Sequence, residues 1–355
     1  MSASYTKTTR DDMNIKEFMA SAMALGLATA VQADEEASRG PFSADISVEL
    51  QSDFTYDSTD PAAEIDNTFA TIEGGLSYAF SDRTSVNATL VFEQVIDPTS
   101  DSFLEDHGLY AEELFLAHDF GRTEVVLGKF NPAFGVAWDA APGIYGVDFA
   151  EDYEIAEKLG AAVIIPFAAA GGEHELSLAV FQADRTFLSD SAFTERGQSS
   201  LPAGGVSNTS GLESFALSLA GEFGATAYNL GVQHQARGRG DAADQTGVVL
   251  GATHAVEAGS FPLELLAEVA WFDDFDGSRN SATYGTLGIA APVGPVTVSA
   301  VYSVRDVQTM LTDHLATVTA EMELFENFTA AIGYRYGDEG GEESHTVGTL
   351  FAYAF

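Results

Sequence analysis

Seven carboxylates of this chain stand in stretches where polar and apolar residues alternate: Asp45, Glu49, Glu73, Glu93, Glu264, Glu268 and Glu321. Successive residues of a β-strand point to opposite faces, so each of these acids shares a polar face with Ser and Thr while the other face is apolar. Such a face makes a wet, acidic surface that attracts cations. Other candidate chemistry is weaker. In "WFDDFDGSRN" at 271–280, Asp273, Asp274 and Asp276 precede Gly277 and offer oxygen ligands for Ca²⁺. Aligned on that glycine as an EF-hand, however, the first ligand position falls on Phe272 and the twelfth on Thr283, so a solvated loop is the plainer reading. The tripeptide "RGD" at 239–241 is of a kind that arises by chance. The seven histidines lack the spacing of a zinc site; His234, His254 and His314 read as interface or lumen residues. Ser344 and His345 are adjacent on a strand and so point to opposite faces. Neither a nucleophile elbow nor a triad is found, and no catalytic residue, metal or cofactor is expected. An enzymatic barrel of lipase or protease type and a structural or adhesive barrel stand as alternatives.

The elements that carry these residues follow from composition and pattern. The 54 acidic against 15 basic residues, net charge −39, exclude nucleic-acid binding, which needs a basic footprint. With no cysteine there is no disulfide, thiolate metal site or Cys nucleophile. Charged residues are only 19% of the chain, beside 34 Gly and 25 Phe, which suits a β-rich protein whose outer surface need not meet water everywhere. Residues 13–33, "MNIKEFMASAMALGLATAVQA", have a basic start at Lys16, an apolar stretch from Phe18 to Val31 and a small-residue cleavage site ending at Ala33. Residues 1–33 are therefore expected to be a signal peptide, with Met13 as an alternative start, and 34–355 a single exported domain. The most apolar remaining segment, 160–172, is too short for a spanning helix and contains Pro166.

Strands remain. In "FSADISVELQSDFTY" at 42–56, Phe42, Ala44, Ile46, Val48, Leu50, Phe54 and Tyr56 share one face. The same alternation recurs at Ile72–Phe80, Val86–Phe92, Leu265–Trp271, Val296–Tyr302, Val318–Leu324 and Phe328–Tyr334, and the apolar faces carry no charge. Short connections at 81–84, 121–123, 168–172, 222–225, 257–262, 292–295 and 325–327 alternate with longer acidic ones at about 57–67, 95–110, 131–156, 184–210, 236–245, 273–281, 306–313 and 337–344. Phe80, Phe92, Trp271, Tyr302, Tyr334, Tyr336 and Phe355 lie at strand ends, as interfacial girdles do. Length, rhythm and girdles disfavour a soluble sandwich. They imply an all-β, transmembrane, antiparallel up-and-down barrel of about sixteen strands in the bacterial outer membrane, with short periplasmic turns and longer extracellular loops; fourteen or eighteen strands stay open. A barrel of that size leaves an aqueous channel unless plugged.

Within 124–160, Gly128, Lys129, Phe130, Asn131, Pro132, Phe134 and Gly135 form a stretch that resembles siderophore porins and phosphate-selective porins of Gram-negative outer membranes. The resemblance implies passive or facilitated diffusion of small hydrophilic solutes, with ferric-siderophore uptake as its specific version. It also implies that loop 131–156 folds inward, so that Asp139, Asp148, Glu151, Asp152 and Glu154 face Lys129, Lys158 or Arg335 across a constriction. An external acidic lid is the alternative. Either arrangement implies weak cation preference or little selectivity rather than anion selection. The terminal "LFAYAF" resembles the assembly signal of outer-membrane proteins, carried by Phe351, Tyr353 and Phe355. Implied partners are outer-membrane lipid, the barrel-assembly machinery and a small solute or siderophore, with a homotrimer as one assembly and no nucleic acid.

Overall fold

A computed structural model describes residues 40–258 and 261–355; the expected signal peptide, 1–33, lies outside the described residues. Sixteen long strands form the wall. The first half runs β1 (Phe42–Ser58), β2 (Asp66–Ser81), β3 (Thr84–Gln94), β4 (His107–Asp119), β5 (Glu124–Phe130), β6 (Lys158–Ala169), β7 (Gly172–Ala183) and β8 (Ser214–Phe223). The second runs β9 (Thr226–Gln235), β10 (Gln245–Ala258), β11 (Phe261–Asp273), β12 (Ala282–Val293), β13 (Val296–Val307), β14 (Asp313–Phe325), β15 (Phe328–Glu339) and β16 (Glu342–Ala354). Each pairs antiparallel with its neighbours in sequence. β16 returns to β1, with Phe351 opposite Leu50 and Tyr353 opposite Val48, so the sheet has no free edge. Two short strands in the loops, Ser102–Phe103 and Ala192–Phe193, add to β2 and β4 respectively.

The wall is apolar outside and polar inside, the reverse of a soluble fold. Leu250, Val269, Val318 and Ile332 each expose about half their surface, whereas Ser218, Thr317 and Thr319, on the opposite parity, are buried within. The exposed set is a lipid-facing band, because among the described residues no element covers it and the alternation leaves no second apolar face. Phe351 and Phe355 belong to that outer face.

Short and long connections alternate from one rim to the other, with one departure from the sequence reading. The segment 337–344 is a two-residue hairpin at Gly340–Gly341, not a longer loop. Both glycines take positive φ, 64° and 86°, which a tight hairpin demands. The flanking Asp338, Glu339, Glu342 and Glu343 are strand residues at the rim.

β4 also carries a bulge. Thr89 opposes Glu113 and Leu90 opposes Ala111, which leaves Glu112 as the extra residue. The bulge turns two consecutive carboxylates inward. The packed core lies inside the barrel rather than between sheets: Phe134, Phe149, Tyr153 and Ile155 from segment 131–157 meet Phe181, Phe272, Tyr284 and Leu315 from the wall.

The register makes a direct test possible. Leu250→Arg on the lipid face of β10 is expected to cost about 2–4 kcal/mol near the midplane. Urea titration of the barrel folded into vesicles should show that loss, and an unchanged midpoint would place Leu250 away from lipid.

Candidate functional site: the luminal constriction

Segment 131–157 leaves the wall because its sequence ends the β5 ladder early. Pro132 cannot donate a ladder hydrogen bond, and β5 stops at Phe130. Gly128, at φ +146°, lies so close to the β4 backbone that a Cβ would strike the carbonyl of Leu114. Gly135, at φ +95°, would put a Cβ 2.9 Å from the Glu268 carboxylate. Two glycines of the porin-like stretch therefore serve close backbone approach, not ligand contact.

The loop folds into the lumen and is bonded to the wall on several sides. Glu268 on β11, only 5% exposed, accepts from the backbone N–H groups of Val136 (2.5 Å) and Ala137 (3.3 Å) and from the Tyr153 hydroxyl (2.6 Å). These donors compensate a buried carboxylate. The short helix α1 (Ala137–Ala140) begins at this anchor. Gly135 donates to Asn229 on β9 at 3.2 Å. Ile144 donates to the Thr319 hydroxyl at 3.2 Å, and the Tyr145 hydroxyl to Asp53 on β1 at 2.6 Å. At the loop's base, Asn131 accepts from the Glu157 backbone and donates to Glu112, each at 2.7 Å, and its own N–H reaches Glu113 at 3.1 Å.

Two luminal arginines complete the hold. Arg335 pairs with Asp148 and Glu339, both at 2.7 Å. Arg305 pairs with Asp152 at 2.7 Å, Asp313 at 2.8 Å and Glu339 at 3.3 Å, with its guanidinium 4.7 Å above the Phe149 ring. Of the charge pairs expected across the constriction, Asp148 with Arg335 forms. Asp152 instead takes Arg305, which the sequence reading missed because it followed the β13 alternation only to Tyr302; continued three residues further, the same alternation puts Arg305 on the inner face, opposite to Tyr302.

The expected role of Lys129 needs correction. It does not face the pore. Its side chain is 1% exposed and its ammonium group meets Glu157 at 2.6 Å, Asp184 at 3.3 Å and the Leu188 carbonyl at 2.9 Å. The positive φ of Gly128 breaks the strand's run here, and residues from 184–196 cover the gap left by the short β5. Arg196 from that cover binds Glu157 through both terminal nitrogens and stacks 3.7 Å over Tyr110, whose hydroxyl donates to Glu93. Lys158 keeps the luminal parity of Ala162 and Ile164 and makes no ion pair among the described residues.

The remaining predicted acids face other acids. Burial, with Glu112, Asp139, Glu151 and Glu113 nearby, pushes Glu154 up to about 9. Burial, with Asp148, Glu93 and Asp152, pushes Glu151 to about 7, and burial beside Glu268 pushes Asp139 to about 6. These values lie above the usual carboxylate range. The folded loop therefore holds protons that it releases as pH rises, and the new charges then repel one another. Asp45, Glu49, Glu73 and Glu93 line the wall opposite the loop on β1–β3, Glu264 lies low on β11, and Glu321 lies on β14. Glu268 is the loop anchor rather than a water-facing residue. Strands β1 to β4 contain no Lys or Arg at all.

No protein-family model matches the chain, and no curated sequence matches it. Solved structures share its fold. The outer-membrane channel DcaP of Acinetobacter baumannii superposes with a TM-score of 0.63 at 12% identity, over 88% of this chain and 97% of that one. The anion-selective porin of Comamonas acidovorans gives 0.56 at 13% identity, over 88% and 99%. The trimer form of Vibrio cholerae OmpT gives 0.52 at 11%, over 89% and 100%.

The arginine latches can be tested separately from the wall. Arg305→Ala and Arg335→Ala are each expected to destabilise the folded barrel by about 1–2 kcal/mol, between the ranges for exposed and for fully buried pairs because their partners are partly hydrated. The double variant should show larger and noisier single-channel conductance than the parent, and identical traces would mean that the loop is held without them. Wall, inward loop and superpositions agree on the architecture: the chain has the sixteen-stranded, closed antiparallel barrel fold of the outer-membrane porins.

Proposed function

We propose that this chain is an outer-membrane porin that passes small hydrophilic solutes by diffusion, with preference for cations. One observation carries the reading: segment 131–157 crosses the lumen, and the passage it leaves has carboxylates on both sides. On the loop side stand Glu151 and Glu154; on the wall side stand Glu93, Glu112 and Glu113. Both luminal arginines are engaged by Asp148, Asp152, Asp313 and Glu339, so they cannot balance this field, and the one luminal lysine on β6, Lys158, is outnumbered by the acids Glu154 and Glu157 beside it. Charged walls of one sign attract the opposite ion and resist the same sign. The apolar outer band and the porin fold support residence in the outer membrane. No covalent step or cofactor enters the mechanism.

Two finer statements belong to the same reading. Assembly is proposed as a homotrimer, supported by the trimer form of the Vibrio cholerae neighbour and by phenyl groups exposed at Phe103 beside β2 and Phe193 beside β4. Ferric-siderophore uptake rests on the resemblance of the Gly128–Gly135 stretch; blockade of the channel current by a ferric siderophore at low concentration supports it, and featureless conductance opposes it.

Reversal potentials across a planar bilayer under a potassium chloride gradient test the selectivity. Cation preference is expected, and it should rise between pH 6 and pH 9 as Glu151 and Glu154 lose their protons. Clear anion preference overturns the proposal. For the terminal aromatics, deletion of Phe355 should reduce the amount of heat-modifiable barrel in the outer membrane; undiminished assembly removes the assembly-signal role.

A further inference from the structure

The passage lies between the crossing loop and the strands that face it, and one side chain from a third segment touches both. The loop side ends at Glu157. The wall side is the luminal face of β3 and β4, with Glu93 and Tyr110. Arg196 belongs to neither, because it comes from the connection between β7 and β8 on the long-loop rim. Its two terminal nitrogens donate to the Glu157 carboxylate at 2.8 and 2.5 Å. Its Cζ lies 3.7 Å from the centre of the Tyr110 ring, and the Tyr110 hydroxyl donates to Glu93 at 2.5 Å. A continuous tie therefore runs from Glu157 through Arg196 and Tyr110 to Glu93, close to where Glu151 faces Glu93 across the passage. Arg305 and Arg335 hold the loop to the strands behind it; Arg196 ties its end to the strands in front.

The segment that carries Arg196 fixes it from behind. The Arg196 N–H donates to the Ser191 hydroxyl at 2.9 Å, which in turn donates to the Thr194 carbonyl at 2.7 Å. Nε of Arg196 donates to the Ser189 carbonyl at 3.2 Å, and the Ser199 N–H to the Ser189 hydroxyl at 3.0 Å. Residues 189–199 thus brace one another, and the braced unit lies flush on β4. Ala192 and Phe193 pair with Leu109 and Gly108, and the Thr194 N–H donates to the His107 carbonyl at 3.2 Å. A Cβ on Gly108 would stand 2.8 Å from Ser191. A side chain anchored in this way loses little freedom in gripping two partners. The residue type matters as well. A planar guanidinium binds a carboxylate through two nitrogens while its face rests on an aromatic ring, and an ammonium group cannot do both.

We propose that Arg196 is a positioning residue for the passage: through it the rim unit 189–199 sets the separation between the crossing loop and β3–β4, and so the largest solute that passes. Withdrawal of the guanidinium, by substitution or by anything that lifts the unit from β4, releases Tyr110 and Glu93 from the loop and widens the opening. The inference rests on the channel reading for its physiological meaning, but the separation itself can be measured apart from conduction.

The test uses the full barrel, reconstituted in a planar bilayer, with potassium chloride current and neutral polyethylene glycols of graded size as probes. Heat-modifiable mobility checks that each variant folds. Arg196→Gln should raise unitary conductance and admit a larger polymer than the parent does. Arg196→Lys keeps the charge but cannot hold both partners, so the size limit should move the same way; a parent-like limit leaves only the charge and overturns the proposal. Tyr110→Ala should match Arg196→Gln, and the two together should shift the limit no further than either alone; additive shifts overturn the shared tie. Arg279→Ala removes an equal charge from the exposed loop between β11 and β12 and should leave the limit in place, whereas an equal shift there overturns the proposal. A merely structural Arg196 would lower the urea midpoint without moving the polymer limit, which overturns it too. If the parent conducts nothing, the channel reading fails on its own. The detergent-purified barrel then decides the brace: the chain has no cysteine, so spin labels on Thr89→Cys and Glu151→Cys report the distance from wall to loop. A longer and broader distribution with Arg196→Gln supports the proposal, and an unchanged one overturns it.

Discussion

A backbone surrounded by hydrocarbon must satisfy its own hydrogen bonds, and closure of β1 on β16 is where this chain meets that demand. Everything else in the molecule follows from having made a ring. With the outer face given to Leu, Val, Ile and Phe, every second residue must point inward, and the interior of a sixteen-stranded ring is too wide for wall side chains to fill. The space has to be occupied by water or by chain. Segment 131–157 supplies chain over one side, where Phe134, Phe149, Tyr153 and Ile155 pack against β7 and β11 to β14, and leaves water on the other. The barrel therefore has one dry half and one wet half.

That division explains how the charges are used. The dry half needs a loop fixed in place against thermal motion, and its strongest donors, Arg305, Arg335 and the backbone N–H groups over Glu268, all hold that loop. Arginines placed this way neutralise the loop's own aspartates. The wet half keeps carboxylates on β1 to β4, strands that carry no Lys or Arg, and the luminal Lys158 of β6 makes no ion pair with them among the described residues. The charge left facing water is then a consequence of how the loop is held, and the fold does not determine it. The same barrel fold occurs in a porin named for anion selectivity, at an identity so low that the luminal side chains are free to differ.

Alternation made the wall legible in the sequence and left the interior half hidden, for a physical reason. At Ile46, Leu50, Val269 and Val318 it reports one residue's two-fold environment, lipid or lumen, and needs no knowledge of partners. Pairing of β16 with β1 followed from the need to remove edges. Where a strand departs from period two, the reading weakens. The Glu112 bulge made β4 look irregular, and the glycine-rich acidic run around Gly340 looked like a loop although it is a hairpin tip. Contacts between distant segments were hardest: Asp148 with Arg335 spans the interior, and nothing local at Asp152 distinguishes Arg305 from any other cation as its partner.

Lys129 shows what a short motif can and cannot say. In sequence it stands beside Gly128 and Phe130 at the entrance to the loop, where a cation would be read as a pore residue. The geometry gives it other work. Because β5 is only seven residues long, Tyr110 to Glu113 on β4 have no strand beside them on that side, and the wall would be open there. Lys129 with Glu157 and Asp184, together with Arg196 on Glu157 and Tyr110, fills that opening from the loop that follows β7. A buried cluster of this kind adds little net stability compared with apolar packing, but breaking one member leaves charges stranded. The motif therefore records how a loop departs from a barrel wall and how the hole behind it is stopped.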